Sequence, residues 1–313
     1  MTRKDVGFRV GTGLFGAALV LIVAAIGYEL VRQSMASIQK FGLAFWRTDV
    51  WDPVAGQFGA LPFIWGTLYS SILALLIATP IALGIAVFIS ELCPGWLRQP
   101  LVFLTELLAA IPSIVYGLWG IFVLVPAIRG LETSMPAALR QLPLFSGPPL
   151  GVGMLSAAVI LAVMVIPFTS SVSREVLKSV PPAQREAAYA LGATPFEAIR
   201  AALFYARTGI VGAVMLGFGR ALGETMAVTM VIGNNPKVSL SLFAPQYTMA
   251  AVIANEFTEA ADELYLAALV EIGLVLFIIT LTVNSLSRLL IWSMTRSSMA
   301  QYTAEPTPAT EAA

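Results

Sequence analysis

Residues 63–89 read FIWGTLYSSILALLIATPIALGIAVFI, a run that contains no charged side chain. The uncharged region is longer still, because no charged residue occurs between Asp52 and Glu91. A helix of about 20 mainly apolar residues crosses the hydrocarbon layer of a membrane, where irregular backbone exposed to lipid is not tolerated. This run therefore predicts a membrane-spanning helix.

The composition of the whole chain agrees with that prediction. Of the 313 residues, 58% are hydrophobic and 12% are charged, whereas a soluble domain is about 25% charged. Five further apolar segments are long enough to span, at residues 12–31, 101–128, 152–172, 210–233 and 264–292. We therefore expect an all-α polytopic membrane protein with six transmembrane helices.

The spans divide the chain into five regions. These are an N-terminal segment at 1–11, the first transmembrane helix at 12–31, a loop with an interfacial segment at 32–62, a five-helix core at 63–292, and a tail at 293–313. The tail is rich in Ala, Thr, Pro and Glu with little hydrophobicity, which is typical of disorder. We expect the tail to be disordered.

The distribution of basic residues predicts the orientation. Eleven of the 18 Lys and Arg residues lie on the side of the N-terminus, six lie on the opposite side, and Arg220 lies inside a span. Because the cytoplasmic side of a membrane protein carries the excess of basic residues, both termini are expected in the cytoplasm.

Several classes of chemistry are excluded by what the sequence lacks. The chain contains no His and a single cysteine, Cys93. A Ser-His-Asp triad, a His proton relay, an HExxH zinc site and a multi-cysteine metal site are therefore absent. The zero net charge gives no reason to expect nucleic acid as a partner. We predict no catalytic residue and no metal ligand.

The loop at 179–206, between the fourth and fifth spans, has the start and stop signals of two short helices. Prolines at 181 and 182 follow Ser179, Gly192 supplies a stop, and Thr194 with Glu197 has the spacing of a capping box. These signals predict helices over 182–191 and 195–206. From the pattern alone they are either surface helices lying on the membrane or a docking element for another protein.

Residues 186–193, EAAYALGA, resemble the EAA loop of ATP-binding-cassette importer permeases. The resemblance implies a type I importer permease (MetI-like) fold in which this loop is a coupling helix that docks on a cytoplasmic ATPase dimer. The coupling residues would be Glu186, Ala187, Ala188, Gly192, Ala193 and Thr194. The chain departs from the family where a Leu-Pro pair is usual, since Phe204 and Tyr205 stand there, so the helix is expected to continue unbroken.

Nucleotide chemistry is expected to belong to a partner. The chain contains no G-x-x-x-x-G-K-[ST] sequence, which P-loop proteins use to cradle nucleotide phosphates. We therefore expect no cofactor bound directly to this chain. ATP and magnesium would be bound by the separate ATPase subunit.

Two charged residues, Arg220 and Glu224, fall in the middle of the fifth span. Each costs roughly 2.5–3.5 kcal/mol on the insertion scale. A spacing of four residues predicts that they share one helix face, beside the close-packing step formed by Gly219 and Gly223. Two interpretations stay open: a buried ion pair that fixes packing, or an arginine fork that binds an oxyanion while Glu224 holds it or gates the path.

The third span carries Pro112 followed by Ser113. The proline removes a backbone hydrogen bond, so a helix kink is expected that leaves polar backbone groups free to line a cavity. Ser113 is then either a pore hydroxyl or a residue that bonds back to a carbonyl. Glu106 and Glu271, two turns inside their spans, are expected to extend toward the membrane interface.

Three dispersed motifs narrow the resemblance to the phosphate-specific (PstC-type) permease subunits of these importers. They lie at 216–228, 110–120 and 51–68. The resemblance implies a substrate pathway of Arg220, Glu224, Ser113 and Thr225, with a helix kink at Pro112. It also implies a multi-pass location in the bacterial inner membrane, a heterodimer with a second homologous permease subunit, and an extracytoplasmic phosphate-binding protein as partner.

Other functions stay open on the sequence alone. A single arginine would suit sulfate, molybdate or phosphonate as well as phosphate. A membrane sensor or scaffold that recruits a cytoplasmic partner without transport is a second class of protein. A membrane enzyme is disfavoured, because no nucleophile and base pair is visible.

Overall fold

The computed structural model describes the backbone of residues 3–303 and the side chains of residues 8–294. Within that range the chain is helical and forms no β-strand. The α-helices, labelled α1 to α13 in chain order, are Arg3–Gln33, Met35–Phe41, Leu61–Val87, Gly95–Ala110, Ser113–Trp119, Val125–Ser134, Ala137–Arg140, Met154–Lys178, Pro182–Ala190, Pro195–Leu222, Met226–Val231, Met249–Glu256 and Glu263–Thr303.

Six helical segments of the described chain are long and apolar enough to cross a membrane, which confirms the predicted number of spans. They are Phe8–Gln33, Leu61–Leu92, Ser113–Ser134, Met154–Lys178, Pro195–Leu222 and Glu263–Met294. The second and third segments include π-helical turns at Phe88–Leu92 and Gly120–Leu124. The third and fifth segments differ from the predicted bounds.

The third predicted span, 101–128, is not one kinked helix. Helix α4 ends at Ala110, Ile111 is extended, and α5 begins at Ser113. Pro112 causes a full break because a proline disfavours helical backbone at the residue before it and donates no hydrogen bond itself. The Tyr116 hydroxyl donates to the Leu108 carbonyl at 2.8 Å across the break, which occupies one of the freed acceptors.

The fifth predicted span, 210–233, is also wrong in its bounds. Helix α10 runs unbroken from Pro195 to Leu222, so it joins the second loop helix to the span, and its passage through Phe204 and Tyr205 confirms the expected continuation. The helix ends where Gly223 caps it, and the short helix α11 starts at Met226.

Helix α8 lies at the centre of the bundle, and small side chains bring its neighbours close. In the second half of α3 every fourth residue is an alanine with no exposed surface: Ala74, Ala78, Ala82 and Ala86. Helix α3 packs along α8, and a Cβ atom at Gly217 of α10 would lie 2.5 Å from Thr169 Oγ1 of α8. Small residues of this kind allow membrane helices to approach closely and gain dispersion energy.

The loop at 32–62 packs on the end of the bundle opposite to the 179–206 loop. The Trp51 indole N–H donates to Glu256 Oε2 at 2.8 Å, and the Tyr265 hydroxyl donates to the same oxygen at 2.7 Å. The Trp51 ring also meets the rings of Phe58 and Phe63 edge to face. These contacts attach the loop to α3, α12 and α13.

The two chain ends differ from expectation in their helical extent. Helix α13 continues to Thr303, so the backbone of residues 293–303 is helical where a disordered tail was predicted. Residues 304–313 of that predicted tail lie outside the described residues. Helix α1 begins at Arg3 and meets α13 at Gly27, where a Cβ atom would lie 3.3 Å from the Phe277 ring.

Replacing Gly66 of α3 with alanine should destabilise the fold. A Cβ atom there would overlap the Tyr247 carbonyl oxygen, which is backbone and cannot rotate away. We expect a loss of about 1–3 kcal/mol, the usual cost of overpacking, seen as a lower unfolding temperature of the detergent-solubilised protein. Gly84→Ala is the control, because that site on the same helix has no atom within 4 Å of the added Cβ. Equal unfolding temperatures for the two variants would contradict the packing described.

Candidate functional site

The break between α4 and α5, at residues 111–112, lies beside the break between α10 and α11, at residues 223–225. A Cβ atom at Gly117 of α5 would lie 3.2 Å from Ala227 Cα of α11, and one at Gly120 would lie 2.8 Å from Val231 Cγ1. The two segments are therefore parallel, because the later residue of one contacts the later residue of the other. The start of α5, just after Pro112, therefore lies next to the 223–225 link that precedes α11.

Arg220 and Glu224 are not on one helix face, because α10 ends between them. Arg220 sits in the last turn of α10 and is exposed, with its guanidinium carbon 5.9 Å from the centre of the Phe168 ring on α8. Glu224 lies in the link, where its Oε1 accepts a hydrogen bond from the Ala227 N–H at 3.4 Å. Within the described residues no ion pair joins the two side chains.

The hydroxyls predicted for the pathway lie on the two sides of this junction. Ser113 is half-buried at the first position of α5. Thr225 is half-buried in the link and donates weakly to the Gly223 carbonyl at 3.4 Å, while its own carbonyl accepts from the Thr229 hydroxyl at 2.6 Å. The breaks thus bring together Pro112 and Ser113 with Glu224 and Thr225, one turn beyond Arg220.

The second candidate site is the loop that carries the EAA-like sequence, and its two predicted helices are present. Helix α9 covers Pro182–Ala190. It is terminated by Gly192, two residues further on, whose φ of +83° is the left-handed conformation that glycine adopts without strain. The Gly192 N–H donates to the Tyr189 carbonyl and the Ala193 N–H to the Ala188 carbonyl, both at 3.0 Å. This is the Schellman pattern of helix termination.

The capping box at the start of α10 is formed in both directions. The Thr194 N–H donates to Glu197 Oε2 at 2.8 Å, and the Glu197 N–H donates to Thr194 Oγ1 at 3.4 Å. With the turn fixed at Gly192 and the next helix capped at Thr194, the loop has a defined shape before any partner binds.

The loop presents a largely exposed surface. Glu186, Ala187, Gly192 and Thr194 are exposed, whereas Ala188 and Ala193 are half-buried. Apolar side chains surround them, with Leu191 90% exposed and Phe196 74% exposed. Large apolar side chains grouped on a surface mark a site of contact with another protein or with the membrane.

Sequence reasoning missed the polar side chains that tie this loop to the bundle. Arg185 of α9 pairs with Glu91 at the end of the second span, with Nη2 2.7 Å from Oε1. The partners are 94 residues apart, so no local pattern joins them.

Of the two carboxylates expected at the membrane interface, Glu106 is exposed and Glu271 is buried. Glu106 pairs with Arg174 of α8 at 3.3 Å. Glu271 is only 3% exposed, and its Oε2 has no hydrogen-bond partner among the described residues. The expectation is wrong for Glu271, which packed helices enclose, and for the exposed Glu106 it stays a prediction.

Comparison with known proteins gives consistent matches. Residues 78–296 match the family described as binding-protein-dependent transport system inner membrane component. The chain is 48% identical to the phosphate transport system permease protein PstC of Haemophilus influenzae, covering 92% of this chain and 93% of that one. It is 45% identical to PstC of Mesorhizobium japonicum, covering 92% and 90%.

A more distant relative and a solved structure extend the comparison. The probable phosphate transport system permease protein PstC of Methanocaldococcus jannaschii is 38% identical, over 85% of this chain and 86% of that one. A structure of the MetNI methionine ABC transporter in an inward-facing conformation matches with a TM-score of 0.52 and 19% identity, covering 72% of this chain and 93% of that one. At that identity the likeness concerns the fold alone, and it agrees with the expected MetI-like permease fold.

Replacing Gly192 with alanine should loosen the turn between α9 and α10. A left-handed backbone costs a residue with a Cβ atom about 1 kcal/mol or more, so amide hydrogen exchange over residues 188–198 should be faster. Gly192→Asn is the matched control, since asparagine tolerates this conformation better. If the alanine variant exchanged at the rate of the asparagine variant, the turn would not depend on the left-handed residue.

Proposed function

The chain belongs to the family of binding-protein-dependent transport system inner membrane components, and from this we propose that it is a permease subunit of an ATP-driven phosphate importer. The observation that carries the proposal is the similarity, over nine-tenths of both chains, to phosphate permeases of Haemophilus influenzae and Mesorhizobium japonicum. A permease subunit is a transport component rather than an enzyme. With its six apolar segments the chain is a multi-pass inner-membrane protein.

The chain forms half of the translocation pore, and a second homologous permease subunit forms the other half. Arg220 supports this arrangement because its guanidinium is exposed on a membrane-spanning helix. A charge facing lipid is costly, so intramembrane charges face a bundle interior or a water-filled cavity. A partner subunit packed over this face would enclose the arginine. The chain and its partner thus form a heterodimer around the junction of the two breaks.

Phosphate passes beside Arg220 at that junction. The planar guanidinium donates two parallel hydrogen bonds to an oxyanion, and Ser113 and Thr225 offer hydroxyls on either side. Because Glu224 caps α11 through the Ala227 amide, its negative charge is held at the link, where it repels an anion that is not bound to Arg220. A phosphate-binding protein on the outer side delivers the substrate.

ATP hydrolysis by the partner acts on this chain through the loop at 179–206, which lies on the cytoplasmic side together with both termini. Helix α9 and the turn that follows it sit in a groove of an ATPase dimer. The contact surface is formed by Glu186, Ala187, Ala188, Gly192, Ala193 and Thr194. ATP and magnesium are bound by the ATPase. ATP binding and hydrolysis switch the pore between outward-facing and inward-facing states.

Arg220→Gln should lower ATP-driven uptake of radiolabelled phosphate into vesicles that contain the complete complex. We expect a loss of about tenfold or more, since hydrogen bonds to charged groups contribute about 1.5–3 kcal/mol. Arg220→Lys keeps the charge without the fork and should fall between Arg220→Gln and the unmodified chain. Arg32→Gln is the control, because Arg32 forms an exposed pair with Glu29 on α1.

Two outcomes of this assay would oppose the proposal. Full uptake by Arg220→Gln would make Arg220 a packing residue. Sulfate, molybdate or a phosphonate that is itself taken up by the unmodified complex, in place of phosphate, would change the substrate class.

Glu186→Lys should weaken the contact with the ATPase. Reversing a charge at an interface places like charges together and should lower both recovery of the ATPase with the chain and phosphate uptake by about tenfold or more. Gln184→Lys is the control, because Gln184 is exposed on the same helix but two residues away, on a different face. Unchanged uptake by Glu186→Lys would remove the coupling role, and a complex purified with no ATPase would favour a scaffold.

A further inference from the structure

The guanidinium of Arg185 joins α9 to two other parts of the bundle. Its Nε and Nη2 atoms donate to Glu91 Oε2 at 3.1 Å and Oε1 at 2.7 Å. Its Nη1 atom donates to the Val180 carbonyl at 3.1 Å, and Nη2 also donates to the Leu177 carbonyl at 3.0 Å. One side chain therefore links α9 to the end of α3 and to the end of α8.

The pair is shielded from solvent. The Arg185 side chain is 24% exposed and the Glu91 side chain 12% exposed, so water screens their attraction less than at a free surface. Glu91 lies in the π-helical turn Phe88–Leu92, which shifts the last turn of the second span relative to a regular helix. Both ends of the contact are thus held in defined positions.

Little else of α9 is packed against the bundle at this point. No side chain of α9 is buried, and beside the pair lies a cavity of about 350 Å³. The cavity is lined by Ser90, Glu91, Lys178, Pro182, Arg185, Glu186 and Tyr189. Arg185 therefore supplies hydrogen bonds from α9 to the ends of α3 and α8 at a place where side chains do not fill the space beside α9.

The partners of Arg185 belong to a closely packed part of the bundle. Leu177 and Val180 are buried in an apolar cluster with Ala86 of α3 and with Ala202 and Ala206 of α10. Helix α3 also packs on α8 through its fully buried alanines. A displacement of Glu91 and of the Leu177 carbonyl therefore displaces the joined α3 and α8, and α8 carries Phe168 beside Arg220.

We propose that Arg185 and Glu91 are positioning residues that transmit the movement of α9 to α3 and α8, and so set how much phosphate is moved for each ATP hydrolysed. The proposal rests on the function proposed above. Neither side chain touches the substrate or the nucleotide. Their effect is on the ratio of transport to hydrolysis, which a contact that only stabilised the fold would leave unchanged.

The test is a double-mutant cycle of Arg185→Gln, Glu91→Gln and the two together, in the complete complex reconstituted in vesicles. Phosphate uptake and ATP hydrolysis are measured on the same preparation, and the amount of assembled complex is measured by recovery of the ATPase. We expect each single variant to lower the phosphate moved per ATP by about fivefold or more, a typical coupling effect. The double variant should fall by about the same factor as each single one, since the pair acts as a unit.

Lys178→Gln is the matched control. Lys178 lines the same cavity and pairs with Glu175 at 3.3 Å, but both residues lie on α8, so this pair connects no second element. We expect its ratio of transport to hydrolysis to be that of the unmodified chain. If an Arg185→Gln complex fails to assemble, Arg185→Lys replaces it, because lysine keeps the charge and a hydrogen-bond donor group. The ratio measured for Glu91→Gln then tests the proposal independently.

Three results would overturn the proposal. The ratio could stay constant while uptake and hydrolysis fall together, the two single effects could multiply in the double variant, or Lys178→Gln could lower the ratio as much as the pair does. The proposed function fails separately, when the unmodified complex moves no phosphate at all. An unmodified complex that transports phosphate, with variants that keep its ratio, removes this inference alone.

Discussion

Within a membrane each backbone amide and carbonyl must find its partner inside the protein, and this requirement governs the arrangement of the whole bundle. The apolar segments satisfy it mostly as helices, and the helix is broken at Pro112 and at 223–225. Side chains form hydrogen bonds with the backbone groups freed there. The Tyr116 hydroxyl donates to the Leu108 carbonyl, and the Glu224 carboxylate accepts from the Ala227 amide. The breaks persist because protein groups replace the missing helical hydrogen bonds.

Small residues bring the two breaks together. Gly117 and Gly120 allow α5 to lie directly on α11, and Gly217 allows α10 to lie directly on α8. In lipid the hydrophobic effect does not drive helices together, so close packing and hydrogen bonds must supply the association energy. The region around Arg220 is thereby built from short and interrupted helices, while the alanine-lined contact of α3 with α8 stays regular. The two helix breaks therefore lie at one place in the bundle.

The sequence predicted the features that depend on local chemistry. Hydropathy predicted the number of spans correctly. The glycine at 192 and the capping box at Thr194 correctly predicted α9 and the start of α10. Features that depend on distant partners were missed or misplaced. Pro112 was expected to kink a helix, but the helix breaks there fully and α5 packs on the distant α11, and Arg185 pairs with Glu91, which lies 94 residues away. The separation of Arg220 from Glu224 likewise depends on where α10 ends.

Helix α10 is unbroken between the two candidate sites, the loop at 179–206 and the junction beside Arg220. Its 28 residues extend from the capped turn at Thr194 to Arg220 near its far end, a length of about 42 Å at 1.5 Å per residue. A rigid helix of this length carries a tilt at the loop into a displacement at Arg220. Arg185 meanwhile connects the same loop to the ends of α3 and α8 through hydrogen bonds. Because α8 carries Phe168 next to Arg220, both connections lead from the loop to the surroundings of Arg220.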